Sequence, residues 1–130
     1  MKKIAIIGSR KLGSSLSNSF IKMWKWNKNM VIFRRSVFKQ YKQYVGNKPI
    51  IICSKGFEKE SLKTLDEVIL DELPDAQIGV LSGPSHAEEV SIAIPTVLVI
   101  ASKDEEIKKQ IQDTFMGPNM RIYTSNDVKG

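Results

Sequence analysis

The sequence predicts an α/β protein, a shortened Rossmann-like parallel sheet between helices. Three observations predict it. Apolar runs of strand length alternate with amphipathic helical stretches along the whole chain. The first run passes into a turn bracketed by glycines, Gly8-Ser9-Arg10-Lys11-Leu12-Gly13. No repeat or low-complexity stretch interrupts the alternation. Residues 1–130 read as one domain, because 130 residues with 42% hydrophobic and 26% charged side chains have the composition of a globular protein with a core.

The elements follow in order. Ile4 to Ile7, closed by Gly8, is a continuous apolar run, as expected of a parallel strand covered on both faces. Leu12, Leu16, Phe20 and Trp24 recur every fourth residue and form one stripe of a helix. Met30 to Phe33 is a second strand, and Ser36 to Tyr44 a helix with Val37, Tyr41 and Tyr44 on one face. If that helix crosses over the sheet, Pro49 to Cys53, the third strand, lies next to the first. Leu62, Leu65 and Ile69 mark a helix that must end by Pro74. Ile78 to Leu81 is a strand, Ser85 opens a short helix through Val90, and Thr96 to Ala101 is a strand rich in Val and Ile. Ser102 with Glu105 reads as a capping box for a helix whose face carries Ile107, Ile111 and Phe115. Met120 to Tyr123 is the last strand.

No apolar run approaches the ~20 residues needed to span a bilayer, and the run Ile4 to Ile7 after Met1-Lys2-Lys3 is too short for a signal-peptide core. The expected location is cytoplasmic, with no membrane partner. The single Cys53 sits in an apolar strand and reads as a buried, unreactive thiol. Charge is divided unevenly. Residues 1–57 hold thirteen Lys or Arg and no Asp or Glu, so this part is +13 and the remainder −7, within a net +6. Such polarity suits an anionic partner: a dinucleotide, a phosphorylated metabolite or nucleic acid. A solvated basic face explains it equally. The nucleic-acid reading is disfavoured because the interleaved Trp24, Trp26, Tyr41 and Tyr44 fall at helical spacings that a core also explains.

The first turn has glycines at the first and sixth places of a dinucleotide fingerprint, with Arg10 in place of the middle one. Gly8 can make the tight turn and Gly13 the close helix packing, while Arg10 stands where backbone would approach the pyrophosphate. Its guanidinium can itself pair with phosphate. Lys11 and Leu12 complete the turn, and the helix start offers free amides to an anion. Arg34-Arg35 stands where an acidic residue would hold the ribose of NAD, and arginine there suits a 2′-phosphate, so NADP is as well supported as NAD.

Two further segments are more specific: Ser54-Lys55-Gly56-Phe57-Glu58 at a strand end, and Leu81-Ser82-Gly83-Pro84-Ser85-His86-Ala87-Glu88-Glu89-Val90 from strand to helix. With Pro95-Thr96 to Ala101-Ser102 and Arg121 to Val128, they resemble, in order and spacing, the N-terminal cofactor-binding domain of bacterial NAD(P)-dependent glycerol-3-phosphate dehydrogenases. The resemblance is close over residues 49–130 and moderate over residues 1–35. It implies a phosphate-bearing small-molecule substrate, with Lys55 touching substrate and cofactor, Gly83 and Ser85 binding substrate, and Ala87 touching cofactor. Gly8, Arg10, Lys11, Leu12, Gly13 and Arg35 would complete the NAD or NADP contacts. His86 reads as a packing residue.

The resemblance also implies what is missing from these 130 residues. The family has more chain between the second strand and the Pro49 strand, and its catalytic lysine and helical substrate domain fall beyond Gly130. The expectation is therefore a remnant of the dehydrogenase, internally deleted and C-terminally truncated, inactive alone and retaining at most weak dinucleotide or phosphate binding. The alternative is a basic nucleotide- or nucleic-acid-binding module without enzymatic activity.

Overall fold

The computed structural model describes residues 5–7, 35–84, 89–90 and 92–130. The glycine turn with Gly8, Arg10, Lys11, Leu12 and Gly13, the Leu12 to Trp24 helix, the Met30 to Phe33 strand, and Ser85, His86 and Ala87 lie outside them. So do the side chains of Val37, Tyr41 and Tyr44.

Five strands form one sheet in the order β1-β2-β3-β4-β5: β1 Ala5–Ile7, β2 Ile50–Ile52, β3 Ile78–Ser82, β4 Thr96–Ala101 and β5 Met120–Ser125. Among the described residues three helices accompany them: α1 Arg35–Val45, α2 Leu65–Glu72 and α3 Glu105–Phe115. As the sequence predicts, the Pro49 strand pairs in parallel with the first, Ile7 opposite Ile52. β2 and β3 are parallel, with Ile52 opposite Val80, and so are β4 and β5.

The expectation of a wholly parallel sheet is corrected at one ladder, because β3 and β4 are antiparallel, Val80 opposite Ala101 and Ser82 opposite Val99. Residues 83–95 connect the two strands and contain a bend at Gly83-Pro84 and a turn at Ile92-Ala93, where Ala93 has φ +61. An antiparallel pair needs only a reversal of the chain between neighbouring strand ends, with no crossover over the sheet.

Two apolar layers flank the sheet. On one face Ile50 and Ile52 of β2 pack with Phe38 and Val45 of α1 and Leu65 and Ile69 of α2. On the other, Ile51 joins Leu81, Leu98, Ile100 and Ile122 under Ile107, Ile111 and Phe115 of α3. The residues chosen for α3 from their spacing are therefore its buried face. In α1 the described inward side chains are Phe38 and Val45, two turns apart and so on one face.

Two details depart from the sequence reading. Leu62 is not part of α2: it is 76% exposed, has φ +56 and donates its amide to Glu58 in a turn. The helix begins after Thr64, whose amide and hydroxyl both donate to Glu67 Oε2 at 2.9 Å. The cap of α3 is Asp104, which accepts from the amides of Glu106 and Ile107, rather than Ser102. Ser102 is buried and donates its hydroxyl to the Ile78 carbonyl at 2.7 Å, so it joins β4's end to β3 instead. Among the described residues no helix is long and apolar enough to cross a membrane.

Ile111, with no exposed surface, is locked between α3 and β5; Ile111→Ala is expected to lower unfolding free energy by about 2–5 kcal/mol in urea titrations, through the lost transfer energy and the cavity. The hydrogen bond from the Thr64 amide, then those from Lys129 and the Thr64 hydroxyl, hold the Glu67 carboxyl at about 2, against its ordinary 4.5. A depressed carboxyl stabilises the fold above the unfolded value and loses that contribution as pH falls from 4.5 towards 2. The melting-temperature difference between wild type and Glu67→Gln should accordingly be largest near neutrality and shrink over that acid window.

Candidate ligand-binding edge

The parallel register brings three strand ends together. Ile7, Ile52 and Val80 lie side by side, so the chain leaves β1 at Gly8, β2 at Cys53 and β3 near Gly83 along one sheet edge. Open α/β sheets bind ligands beyond the carboxyl ends of such strands. Lys55 and Gly83, both binding residues by the one resemblance, stand at neighbouring strand ends. Ser85, Ala87 and the five residues of the glycine turn lie outside the described residues.

The residues beyond β2 divide by burial. Cys53 is buried, and burial pushes its thiol up to about 12, so it stays protonated and inert, as its place in the apolar run suggests. Ser54 follows with a hydroxyl oxygen that is buried and has no hydrogen-bond partner among the described residues. Lys55 is exposed and makes no ion pair among the described residues. Gly56 has φ +118, a conformation that favours glycine, and a Cβ there would meet nothing within 4 Å, leaving its backbone open to solvent. A Cβ on Gly83 would stand 2.7 Å from the Val97 carbonyl oxygen and 3.1 Å from Leu98 Cα. Those are backbone atoms of the adjacent strand, so only glycine fits.

The loop that follows closes on itself. Phe57 bridges to Thr64, and the Glu58 amide donates to the Lys63 carbonyl at 2.9 Å. Phe57 is left 65% exposed beside Lys55. Glu58 turns back towards α1, where its Oε1 lies 2.9 Å from Arg35 Nε as an ion contact outside hydrogen-bond geometry. Arg35 also donates to Asp71 at 2.9 Å and lies 3.8 Å from Glu72. The bond to Asp71 is the main reason that its guanidinium holds its proton more tightly than usual. The arginine expected to meet cofactor is thus engaged by three carboxylates.

The sequence reading missed Ser54. Its only signal is a polar residue interrupting an apolar strand end before Lys-Gly, and burial of its hydroxyl emerges only from packing. An open depression of about 500 Å³, lined by Val45, Asn47, Lys48, Pro74, Asp75 and Gln77, lies at the other end of β2 and β3, away from Lys55. What marks the candidate edge is its chemistry. A basic side chain, an open glycine backbone and an orphaned buried hydroxyl fit a phosphate-bearing ligand.

The chain is similar in sequence and fold to known proteins. A family profile described as NAD-dependent glycerol-3-phosphate dehydrogenase N-terminus matches residues 29–108. Over 99 residues, 74% of this chain and 30% of the relative, the chain is 43% identical to glycerol-3-phosphate dehydrogenase [NAD(P)+] of Fusobacterium nucleatum. It is 48% identical over 86 residues to the same-named protein of Staphylococcus haemolyticus, covering 64% of this chain and 26% of that one. The fold superposes on glycerol-3-phosphate dehydrogenase from Coxiella burnetii with TM-score 0.75 at 21% identity, over 97% of this chain and 54% of that chain. A Saccharomyces cerevisiae glycerol-3-phosphate dehydrogenase gives TM-score 0.67 at 17% identity, over 98% and 57%. The chain spans about 30% of the length of the curated relatives it matches. With more than half of its residues inside the matched family, this chain belongs to the NAD-dependent glycerol-3-phosphate dehydrogenase N-terminal family.

Proposed function

We propose that this chain is the dinucleotide-binding part of an NAD(P)-dependent glycerol-3-phosphate dehydrogenase. It holds NAD or NADP across the ends of β1 and β2 and the phosphate-bearing substrate, dihydroxyacetone phosphate or sn-glycerol 3-phosphate, at Lys55, Gly83 and Ser85. The supporting observation is the convergence of Lys55 and Gly83 on the carboxyl edge of three parallel strands. When bound, the nicotinamide supplies or accepts the hydride. The chain's own work is to bind and orient: Lys55 offsets phosphate charge, and the turns after β1 and β3 offer contacts to cofactor and substrate.

Carbonyl reduction also needs a proton at the forming hydroxyl oxygen, and a positioned general acid contributes about 10²–10⁴ in rate. None of the 130 residues matches the family's catalytic lysine. In this reading, a polypeptide of these residues alone binds dinucleotide weakly and does not turn over. Between the two cofactors, the engagement of Arg35 with Glu58, Asp71 and Glu72 favours NAD, because a 2′-phosphate would compete with three carboxylates for that guanidinium. The same pairing argues against a nucleic-acid module. Arg35, Lys39 and Lys42 all face Glu72, so part of the basic N-terminal charge is matched within the fold.

Fluorescence titration with NADH and NADPH, followed by assay with dihydroxyacetone phosphate, tests the reading. Saturable binding without NADH oxidation is expected, and Lys55→Ala should weaken binding about tenfold or more, the loss of a charge-assisted hydrogen bond. No binding at millimolar cofactor, or measurable turnover, would contradict it. Arg35→Ala should lower the melting temperature, by breaking the link between α1 and α2, and leave the ratio of NADH to NADPH affinities unchanged.

A further inference from the structure

The buried hydroxyl of Ser54 has no partner among the described residues, and buried polar groups are otherwise almost always hydrogen-bonded. Its position gives the exception a meaning. Ile52 pairs with Val80, and two residues on from each stand Ser54 and Ser82, with Lys55 and Gly83 immediately after them. An unmet donor therefore sits at the same edge as the unpaired cation and the open backbone of Gly56. A phosphate oxygen is an acceptor that both the hydroxyl and the ammonium can use.

We propose that Ser54 is a ligand-binding residue of this edge, its Oγ donating a hydrogen bond to a phosphate oxygen of the molecule held by Lys55. This rests on the proposed function and adds to it a contact on the chain's own side. The dinucleotide pyrophosphate and the phosphate of the three-carbon substrate both present the required oxygen. In the ligand-free fold the hydroxyl contributes nothing to stability, since replacing an unpaired buried donor by a methyl group removes a desolvation penalty and no bond.

The test uses the full 130-residue chain as wild type, Ser54→Ala, Ser54→Thr and Lys55→Ala. Affinity for NADH is read by fluorescence and affinity for sn-glycerol 3-phosphate by calorimetry, with ligand-free melting temperatures alongside. Ser54→Ala should weaken the ligand that wild type binds about tenfold, with a melting temperature no lower than wild type, while Ser54→Thr keeps its hydroxyl and its affinity. A loss confined to NADH assigns the contact to the pyrophosphate, and one confined to sn-glycerol 3-phosphate assigns it to the substrate. Unchanged affinity in Ser54→Ala, or a lowered ligand-free melting temperature that accounts for the loss, overturns the proposal. If Lys55→Ala loses binding and Ser54→Ala does not, the proposal fails and the function stands. If wild type binds neither ligand, both fall.

Discussion

The structure depends on the burial of β2 from both sides. Ile50 and Ile51 have no exposed surface and Ile52 almost none, although the strand is only three residues long. Alternation sends Ile50 and Ile52 to one face and Ile51 to the other, so neither face can be left to water. Each isoleucine is worth about 1.5–3 kcal/mol when removed from solvent. That requirement positions α1 and α2 over one face and α3 over the other. It also explains why β1 and β3 flank β2 in parallel: its amides and carbonyls, equally dry, need partners on both edges. The segment that supplies Ser54 and Lys55 is the exit from this most constrained strand.

Electrostatics resolves what composition leaves open. Arg35 stands at the first turn of α1, an unfavourable end for a cation, and Asp71 and Glu72 stand in the last turn of α2, an unfavourable end for anions. Pairing them lets each group offset the other's helix dipole while crossing from one helix to its neighbour. Glu58 then ties the loop after Lys55 to the same arginine. The charge asymmetry of the sequence is thus partly an internal fastening between an early basic helix and a later acidic one. Among the described residues Lys55 stands outside these pairs.

Apolar periodicity made most of the fold legible. The runs that become β2, β4 and α3 are read from their apolar patterns, and Ile107, Ile111 and Phe115 are buried as their spacing requires. Where polar groups decide, the sequence was less readable. Ser102 looks like a cap, yet Asp104 takes that role because Ser102 is drawn to a carbonyl of β3 that is distant in sequence. Leu62 matches the helical spacing, but the Thr64 and Glu67 pair starts the helix after it. The antiparallel ladder between β3 and β4 was not legible either, because periodicity does not encode strand direction. At the candidate site, Lys55 and Gly83 were readable because motif and strand end coincide. Ser54 was not, since whether a hydroxyl is dry is decided by neighbours far along the chain.

The reversed strand also limits where a ligand can lie. Because β4 runs against β3, it begins near Ser82 and ends opposite Val80, and β5 runs with it, Ala101 opposite Ser125. The carboxyl ends of β4 and β5 therefore leave the sheet on the side where Ser102 meets Ile78, at the start of β3. Among the described strands, only β1, β2 and β3 deliver their ends to the Lys55 edge. At the boundary of that edge, Gly83 lies against the backbone of β4, so a side chain there would push the β3 exit away from its neighbour. Among the described residues this edge runs from the end of β1 to the Gly83 turn, a span centred on β2, and its central groups are the hydroxyl of Ser54 and the ammonium of Lys55.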